Sequence, residues 1–333
     1  MVANTISQPI VPPIEPLSVQ KKSLLSKAWQ FNKSLTISTI FSIALIPFVL
    51  LALWLDPVTI TGVNGWIKPL KFLISTAVYT GTLFWLLSYV QGWRRFIQLT
   101  AWFVGLALII ENSLIIVQVL RGTSSHFNVS TAFDGAVFSV MGTLISILAV
   151  LNLVIAIRLI FQKMQDRVFA WSLRLGLLTT VAGMMVAFLM TSPTNAQLAK
   201  AHQTGQMPIS GAHSVGVEDG GRGLPLVGWS TEGGDLRIPH FVGLHALQVI
   251  PLVGWLLTRR RTQQLWREGQ RLALVWIAGL GYLSLLGLLT WQALRGQSLI
   301  APDGLTGMAF AGLLVTVIFS TLLVLTRKQM SAR

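Results

Sequence analysis

Residues 136–158 read AVFSVMGTLISILAVLNLVIAIR, a run of 23 residues whose single charged side chain, Arg158, comes last. A helix rises about 1.5 Å per residue, so a run of this length crosses the roughly 30 Å hydrocarbon core of a bilayer. Backbone polar groups in lipid must be bonded within their own segment, which predicts a helix. Runs of this kind recur, and we place eight spans near residues 36–56, 66–90, 97–120, 136–158, 168–190, 240–258, 272–293 and 305–326.

The composition also indicates an integral membrane protein. Of the 333 residues, 53% are hydrophobic and only 11% are charged. The mean hydropathy of +0.67 lies outside the range of a soluble domain of this length. The chain has no cysteine, which excludes disulfides, thiolate metal ligands and dithiol redox chemistry. We therefore predict an all-α integral membrane protein with eight transmembrane helices.

Lysine and arginine predict the orientation. With the N-terminus in the cytoplasm, 18 of the 25 basic residues lie on the cytoplasmic side, as the positive-inside rule requires. All five histidines and all but three of the acidic residues then lie on the opposite side. We predict a multi-pass protein of a bacterial inner membrane, with both termini cytoplasmic. Its basic residues face anionic lipids at the cytoplasmic surface, and nucleic acid is not expected as a partner.

The chain is predicted to divide into three parts. Residues 1–35 form a disordered, basic cytoplasmic lead-in, residues 36–160 a first four-helix membrane unit, and residues 161–333 a second four-helix membrane unit. The second unit contains the extracytoplasmic loop 191–239, which is long and rich in glycine. Long loops without regular structure are uncommon unless they are functional or disordered. We interpret this loop as a lid over the outer mouth of the protein, with a solvated spacer as the alternative.

Two short strings suggest that the two units are tandem repeats. The third span ends in QVLRG at residues 118–122, and the seventh ends in QALRG at residues 292–296. An aspartate, Asp134 or Asp303, precedes or opens the next span in each case. Two units of four spans would share one orientation and be related by an axis along the membrane normal. The alternative is coincidence, because Arg-Gly commonly ends helices.

Charged residues also occur inside the predicted spans, where they are costly and usually face a partner or a cavity. Glu111 lies about ten residues below the outer end of the third span, on the same helix face as Gln118 and Arg121. Lys68 and Lys71 share one face of the second span. We expect a contact between Lys71 and Glu111, with Arg121 as a competitor. The pair is either a structural lock between helices or a proton-accepting carboxylate.

The histidines provide a second group of candidate residues. His126 follows the third span, and His240 and His245 lie at the start of the sixth, where His245 and Gln248 project together. With Asp134, the three histidines are candidate ligands for a divalent metal ion such as Zn²⁺ or Fe²⁺. Two of the histidines could instead be axial ligands of haem b. The alternative is that each histidine is a hydrogen-bonded packing residue.

Two residues before the sixth span complete the predicted site. Asp235 and Arg237 precede His240, and Arg237 or Arg121 could orient an anionic substrate. The predicted catalytic residues are Glu111, His126, Asp134 and His245. The predicted substrate-binding residues are Lys68, Lys71, Gln118, Arg121, Asp235, Arg237 and Gln248.

Three strings carry a resemblance to other proteins. These are WIKPLKF at residues 66–72, RGTSSHFN at residues 121–128, and GDLRIPHFVGLHALQ at residues 234–248. They resemble a group of uncharacterised bacterial multi-pass inner-membrane proteins, over most of the chain from about residue 40. The group has no assigned activity, so the resemblance implies an architecture and no function.

The sequence leaves three functions open. We expect first a metal- or haem-dependent membrane enzyme, redox or hydrolytic, whose site faces the periplasm. The alternatives are a proton-coupled small-molecule transporter that uses Glu111, and a structural or sensory membrane subunit. The cytoplasmic half of the spans is almost wholly apolar apart from Arg174 and Asn152. A transporter needs polar groups along its whole path, so this asymmetry favours the enzyme.

Overall fold

The computed structural model describes residues 23–326, and everything below concerns that part of the chain. In chain order, the helices are α1 (Leu24–Phe31), α2 (Lys33–Leu55), α3 (Ile67–Leu87), α4 (Arg94–Leu120), α5 (Ala132–Phe161), α6 (Arg167–Thr191), α7 (Asn195–Thr204), α8 (Arg237–Leu257), α9 (Arg260–Leu265), α10 (Glu268–Leu294) and α11 (Gly304–Thr326). Two antiparallel pairs of strands join them: β1 (Thr59–Ile60) with β2 (Val63–Asn64), and β3 (Ser214–Val215) with β4 (Gly234–Asp235).

Eight of these helices are long and apolar enough to cross a membrane: α2, α3, α4, α5, α6, α8, α10 and α11. They coincide with the eight predicted runs, which confirms an all-α multi-pass membrane protein. Helices begin inside the predicted disordered lead-in of residues 1–35, because α1 starts at Leu24 and α2 at Lys33. The side chain of Ser23 caps α1, and the Oδ1 atom of Asn32 accepts a hydrogen bond from the Leu35 amide (3.0 Å) to cap α2. Residues 1–22, where the rest of the predicted disorder lies, are outside the described part.

The connections between spans gather at two ends of the bundle. The site end holds residues 56–66, 121–131, 192–236 and 295–303; there the backbone of Gly220 lies against Gly62, and that of Gly216 against Gly296. The basic end holds residues 88–93, 162–166 and 258–267. At the basic end, the Gln162 side chain bonds the backbone of Tyr89 and Gln91. All five histidines belong to the site end or to the turns of helix that adjoin it.

The first four spans and the last four pack in the same way. The first span of each set contacts the second and third, and the third contacts the second and fourth. Both second spans, α3 and α8, have 21 residues, follow a strand pair and carry proline at their third position, Pro69 or Pro239. Both third spans, α4 and α10, have 27 residues. The equivalence suggested by the QVLRG and QALRG strings therefore extends to lengths and packing.

In both halves, a glycine allows the third span to pack closely against the first. A Cβ atom on Gly105 would lie 2.5 Å from the backbone carbon of Ser34, and one on Gly279 would lie 2.7 Å from the Leu175 Cδ1 atom. Both glycines occupy the twelfth position of their helices. The two halves nevertheless share one core, because Leu173 and other residues of α6 and α8 belong to the largest buried cluster of the first half.

Candidate functional site

The two lysines of α3 point to different partners at the site end. The Lys68 Nζ atom lies 3.1 Å from the His126 Nδ1 atom. The Lys71 Nζ atom donates to the carbonyl oxygen of Val227, at 2.9 Å. The expected contact between Lys71 and Glu111 is therefore wrong. The loop 192–236 folds back over α3 and supplies the acceptor that Lys71 uses.

Glu111 is buried in α4, and its side chain meets His126. The residue is 2% exposed, about 14 Å below the end of the helix at 1.5 Å per residue. Its Oε1 atom lies 3.8 Å from the His126 Nε2 atom, while its Oε2 atom is buried with no hydrogen-bond partner. Lys68 is the basic residue whose charge acts on this carboxyl group. Lys68, His126 and Glu111 therefore form one continuous set of ionisable groups.

His126 sits at the centre of this set, inside an aromatic enclosure. The rings of Phe72, Phe127 and Phe138 lie 5.7, 6.2 and 6.5 Å from its ring. Burial, followed by the charge of Lys68, holds the pKa of His126 well below its ordinary value. A charged lysine has only donors, so the His126 Nδ1 atom accepts from Lys68 and the Nε2–H group faces Glu111.

A second histidine and a carboxylate approach from the loop 192–236. The His213 Nδ1 atom lies 2.8 Å from the Asp219 Oδ2 atom, and the His213 and Ser214 amides also donate to this carboxylate. Burial alone would raise the pKa of Asp219, but the hydrogen bonds from His213 and Ser214 hold it well below its usual range. Burial lowers the pKa of His213 despite that carboxylate. Sequence analysis missed this pair; its signal was a histidine and an aspartate six residues apart in a glycine-rich loop.

His240 completes what we call the Glu111 cluster, defined as Lys68, Glu111, His126, His213, Asp219 and His240. The His240 Nδ1 atom lies 2.8 Å from the Gly183 carbonyl oxygen, so α6 orients the ring. The charges of His213 and His240 both act on His126, and that of Asp219 acts on Lys68. The cluster thus joins α3, α4, α8 and two loops.

Arg121, Gln118 and Asp134 form a separate network. The Arg121 Nη1 atom lies 2.5 Å from the Asp134 Oδ1 atom, and the Gln118 Nε2 atom donates to the same oxygen at 2.8 Å. The Thr131 hydroxyl donates to the other oxygen of Asp134 at 2.6 Å. This network closes the connection between α4 and α5, and Arg295 makes the equivalent pair with Asp303 (2.6 Å) between α10 and α11. This geometry indicates a structural role, in which the network holds α4 and α5 together at their connection.

Asp235 and Arg237 anchor the loop above the cluster. Asp235 is fully buried, and its Oδ2 atom lies 2.5 Å from the Arg237 Nη2 atom. The same Arg237 atom donates to the Gly228 carbonyl oxygen, at 2.6 Å. Lys71 and Arg237 thus hold two successive carbonyl groups, those of Val227 and Gly228. This part of the loop therefore contacts the basic side chains of α3 and α8, and its role as a lid stays a prediction.

Two predicted site residues lie apart from the cluster. His245 packs its ring against Phe241, with a centroid distance of 4.3 Å. The Gln248 Nε2 atom donates to the Thr82 hydroxyl at 3.1 Å, which links α8 to α3. Neither side chain makes a hydrogen bond to a member of the Glu111 cluster among the contacts of residues 23–326.

The predicted cofactors do not fit this arrangement. Asp134 is occupied by Arg121, Gln118 and Thr131, and His245 faces Phe241, so His126, Asp134, His240 and His245 do not converge on one point. Across residues 23–326, no three His, Cys, Asp or Glu side chains are grouped so that they could hold a metal ion. Both ring nitrogens of His126 also face other residues, Lys68 at Nδ1 and Glu111 at Nε2, so neither is directed at a haem iron.

No protein-family model, no curated protein and no solved structure matches the chain. The resemblance to uncharacterised inner-membrane proteins stays a prediction. Function must therefore be argued from the geometry of the cluster.

Proposed function

We propose that the protein is a proton-coupled small-molecule transporter in which Glu111 carries the proton. The observation that supports this most directly is the Glu111 carboxyl group, buried in a candidate span with its Oε2 atom unpartnered and its Oε1 atom 3.8 Å from His126. An uncompensated charge in an apolar interior is costly, so a carboxylate there must be balanced by a proton or a nearby cation. Lys68, reached through His126, is that cation.

A change of protonation at Glu111 would alter the whole cluster. Neutral His126 can relay a proton: it takes one up at Nδ1, on the Lys68 side, and releases the Nε2 proton to Glu111 on the other side of the ring. When Glu111 is protonated, it no longer balances the positive charge of Lys68, and the ammonium group then needs another negative charge nearby. Such a bistable arrangement of charges is what proton coupling requires.

A short row of polar side chains starts at Asn112, the residue after Glu111, and continues toward the basic end. The Nδ2 atom of Asn112 donates to the Thr76 hydroxyl at 2.9 Å. The Thr80 hydroxyl, 2.7 Å from that of Thr39, also bonds the Thr76 carbonyl oxygen. The row adds polar groups to the cytoplasmic half, where we expected few besides Arg174 and Asn152. Threonine lowers the mean hydropathy of a span only slightly, yet its hydroxyl groups supply the polar atoms that a transport path needs.

We place the protein in a bacterial inner membrane with the Glu111 cluster facing the periplasm. Arginines concentrate at the basic end, where Arg94 and Arg95 begin α4 and Arg259–Arg261 follow α8. The positive-inside rule assigns such an end to the cytoplasm, beside anionic lipid headgroups. The periplasmic proton supply would then reach Glu111 through His126 and the loop 192–236.

The test uses purified protein in liposomes loaded with the pH-sensitive dye pyranine. A pH gradient, acidic outside, drives protons inward, and small anionic, cationic and neutral solutes are supplied outside in turn, because a coupled transporter moves protons only with its substrate. With at least one of these solutes we expect faster acidification than in protein-free liposomes, and expect Glu111→Gln to abolish the difference. The matched control is Glu232→Gln, an exposed carboxylate 3.9 Å from Arg222, which should behave as the unaltered protein.

Infrared difference spectroscopy of the same protein in lipid films reports protonation directly. We expect the carbonyl band of a protonated carboxyl group to appear as pH falls, and to be missing in Glu111→Gln. A titrating band without proton flux in the presence of any of the solutes would refute transport. The absence of both signals would favour a structural or sensory subunit.

A hydrolytic enzyme is the second candidate, because one serine adjoins the cluster. The Ser125 hydroxyl lies 3.1 Å from the His126 Nδ1 atom, on the opposite side of the ring from Glu111. Nucleophile, base and orienting carboxylate follow this order in acyl-transfer sites. A fluorophosphonate probe should then label the protein but not Ser125→Ala or His126→Ala. Equal labelling of all three forms would remove this candidate.

A further inference from the structure

We infer that the transported substrate is a monoanion with an apolar body, bound by Lys71 and Lys68 beneath residues 223–230. This inference rests on the proposed function and names its substrate class. We call residues 223–230 the lid hairpin, because Gly223 pairs with Ser230 and the Leu224 amide donates to the Trp229 carbonyl oxygen (2.8 Å).

Two lysines that make no direct ion pair lie beside the lid hairpin, and carboxylates reach them only over longer distances, Glu111 at Lys68 and Asp235 at Lys71. Of the ion pairs within residues 23–326, none includes Lys68 or Lys71. Arg237, by contrast, is balanced by Asp235. The charges of Lys68, Lys71 and Arg237 act on one another, so these groups share one electropositive region. A partly buried cation without a carboxylate is a binding position for an anion.

The lid hairpin currently supplies the oxygen atoms that an anion would supply. Lys71 and Arg237 donate to the successive carbonyl groups of Val227 and Gly228. A carbonyl oxygen is a weaker partner for an ammonium group than a carboxylate, because the hydrogen bond between two charged groups is stronger. An anionic substrate can therefore displace these carbonyl groups.

The residues above the cations indicate what accompanies the anionic group. The lid hairpin reads GLPLVGWS, and the Trp229 ring packs against Phe241 with a centroid distance of 5.8 Å. Leu226 at its tip has φ +66° and is 86% exposed. A leucine with a positive φ is strained, so the backbone preference of Leu226 does not stabilise the conformation of the tip. A substrate that displaces this apolar segment is favoured if it brings apolar surface of its own.

The same geometry couples the anion to the proton. Lys68 is shared, since its charge acts on Glu111 and on Lys71. A proton on Glu111 cancels the negative charge nearest Lys68, which leaves both lysines available to the anion. Anion and proton should therefore bind together, and the affinity for the anion should rise as pH falls.

The test measures equilibrium binding of radiolabelled benzoate to the protein in nanodiscs. Benzyl alcohol and benzylamine, which have the same body without the negative charge, serve as competitors. We expect benzoate to bind and neither competitor to displace it. Lys71→Gln should weaken binding about tenfold, the loss of one charge-assisted hydrogen bond. Lys200→Gln, an exposed lysine of α7, is the matched control and should bind normally.

Hairpin movement is tested at its tip. The chain has no cysteine, so Leu226→Cys offers a unique site for an environment-sensitive fluorophore. Benzoate should change the fluorescence of this label and should fail to do so when Lys71→Gln is added. If bound benzoate leaves the fluorescence of the label unchanged, displacement of the lid hairpin is refuted.

The outcomes separate this inference from the proposed function. Absence of benzoate binding, or displacement by benzyl alcohol, overturns the anion site whatever Glu111 does. If benzoate binds and Lys71→Gln weakens it, while Glu111→Gln leaves its pH dependence unchanged, the anion site stands and the coupling to Glu111 is wrong. With coupling, Glu111→Gln should bind benzoate tightly and without the pH dependence of the unaltered protein.

Discussion

The helices α6 and α8 pack backbone to backbone at Gly183 and Gly243, and Gly183→Ala should disrupt this contact. A Cβ atom on Gly183 would lie 2.5 Å from the Gly243 Cα atom. Ordinary contact begins at about 3.4 Å, so the two helices would have to separate by about 1 Å. The obstacle is backbone, which cannot rotate away as a side chain could. The carbonyl group of Gly183 also orients His240, at 2.8 Å, so the separation would disturb the Glu111 cluster.

We expect Gly183→Ala to destabilise the protein by about 3 kcal/mol, at the upper end of the cost of overpacking a core. For a chain of this size, that corresponds to a fall in Tm of about 5 °C or more. Thermal unfolding in nanodiscs, followed by tryptophan fluorescence, measures it.

The matched control is Gly142→Ala on α5, where an added Cβ atom would meet nothing within 4 Å. Alanine is the better helix former by up to about 1 kcal/mol, so this variant should be as stable as the unaltered protein or slightly more. If Gly183→Ala unfolds at the same temperature as Gly142→Ala, the argument from close helix approach is refuted.

Two further predictions concern the loops of the site end. Asp134→Asn should lower the free energy of unfolding by about 1–3 kcal/mol in chemical unfolding, because Arg121 and the Thr131 hydroxyl lose the charged acceptor that they share; Glu232→Gln, at an exposed pair, should have no effect. The lowered pKa values of His126 and His213 mean that the unfolded chain takes up protons first as pH falls, so Tm should decrease below about pH 6.5. His213→Gln should lessen that decrease, and an unchanged pH profile would show that His213 does not contribute.

The site residues illustrate how far sequence alone could predict this protein. Lys68, Glu111 and His126 were singled out by their charge within or beside apolar runs, and the structure brings these three together. The predicted partner of Lys71 was wrong, because the acceptor is the Val227 carbonyl group, 156 residues away in the chain. Asp134 was predicted to be a metal ligand together with the histidines, but it pairs with Arg121 instead.

The eight spans and their basic ends could be predicted from sequence. The free energy of transferring a segment into hydrocarbon is the sum of the contributions of its own residues, so it can be read without knowing the fold. The partners within the site depend instead on how far each helix is rotated and how closely it approaches its neighbours. Those quantities are set by contacts such as Gly183 against Gly243 and by a loop that folds back on α3. No local pattern encodes them, and only the tertiary structure brings His213, Asp219 and Val227 to the lysines of α3.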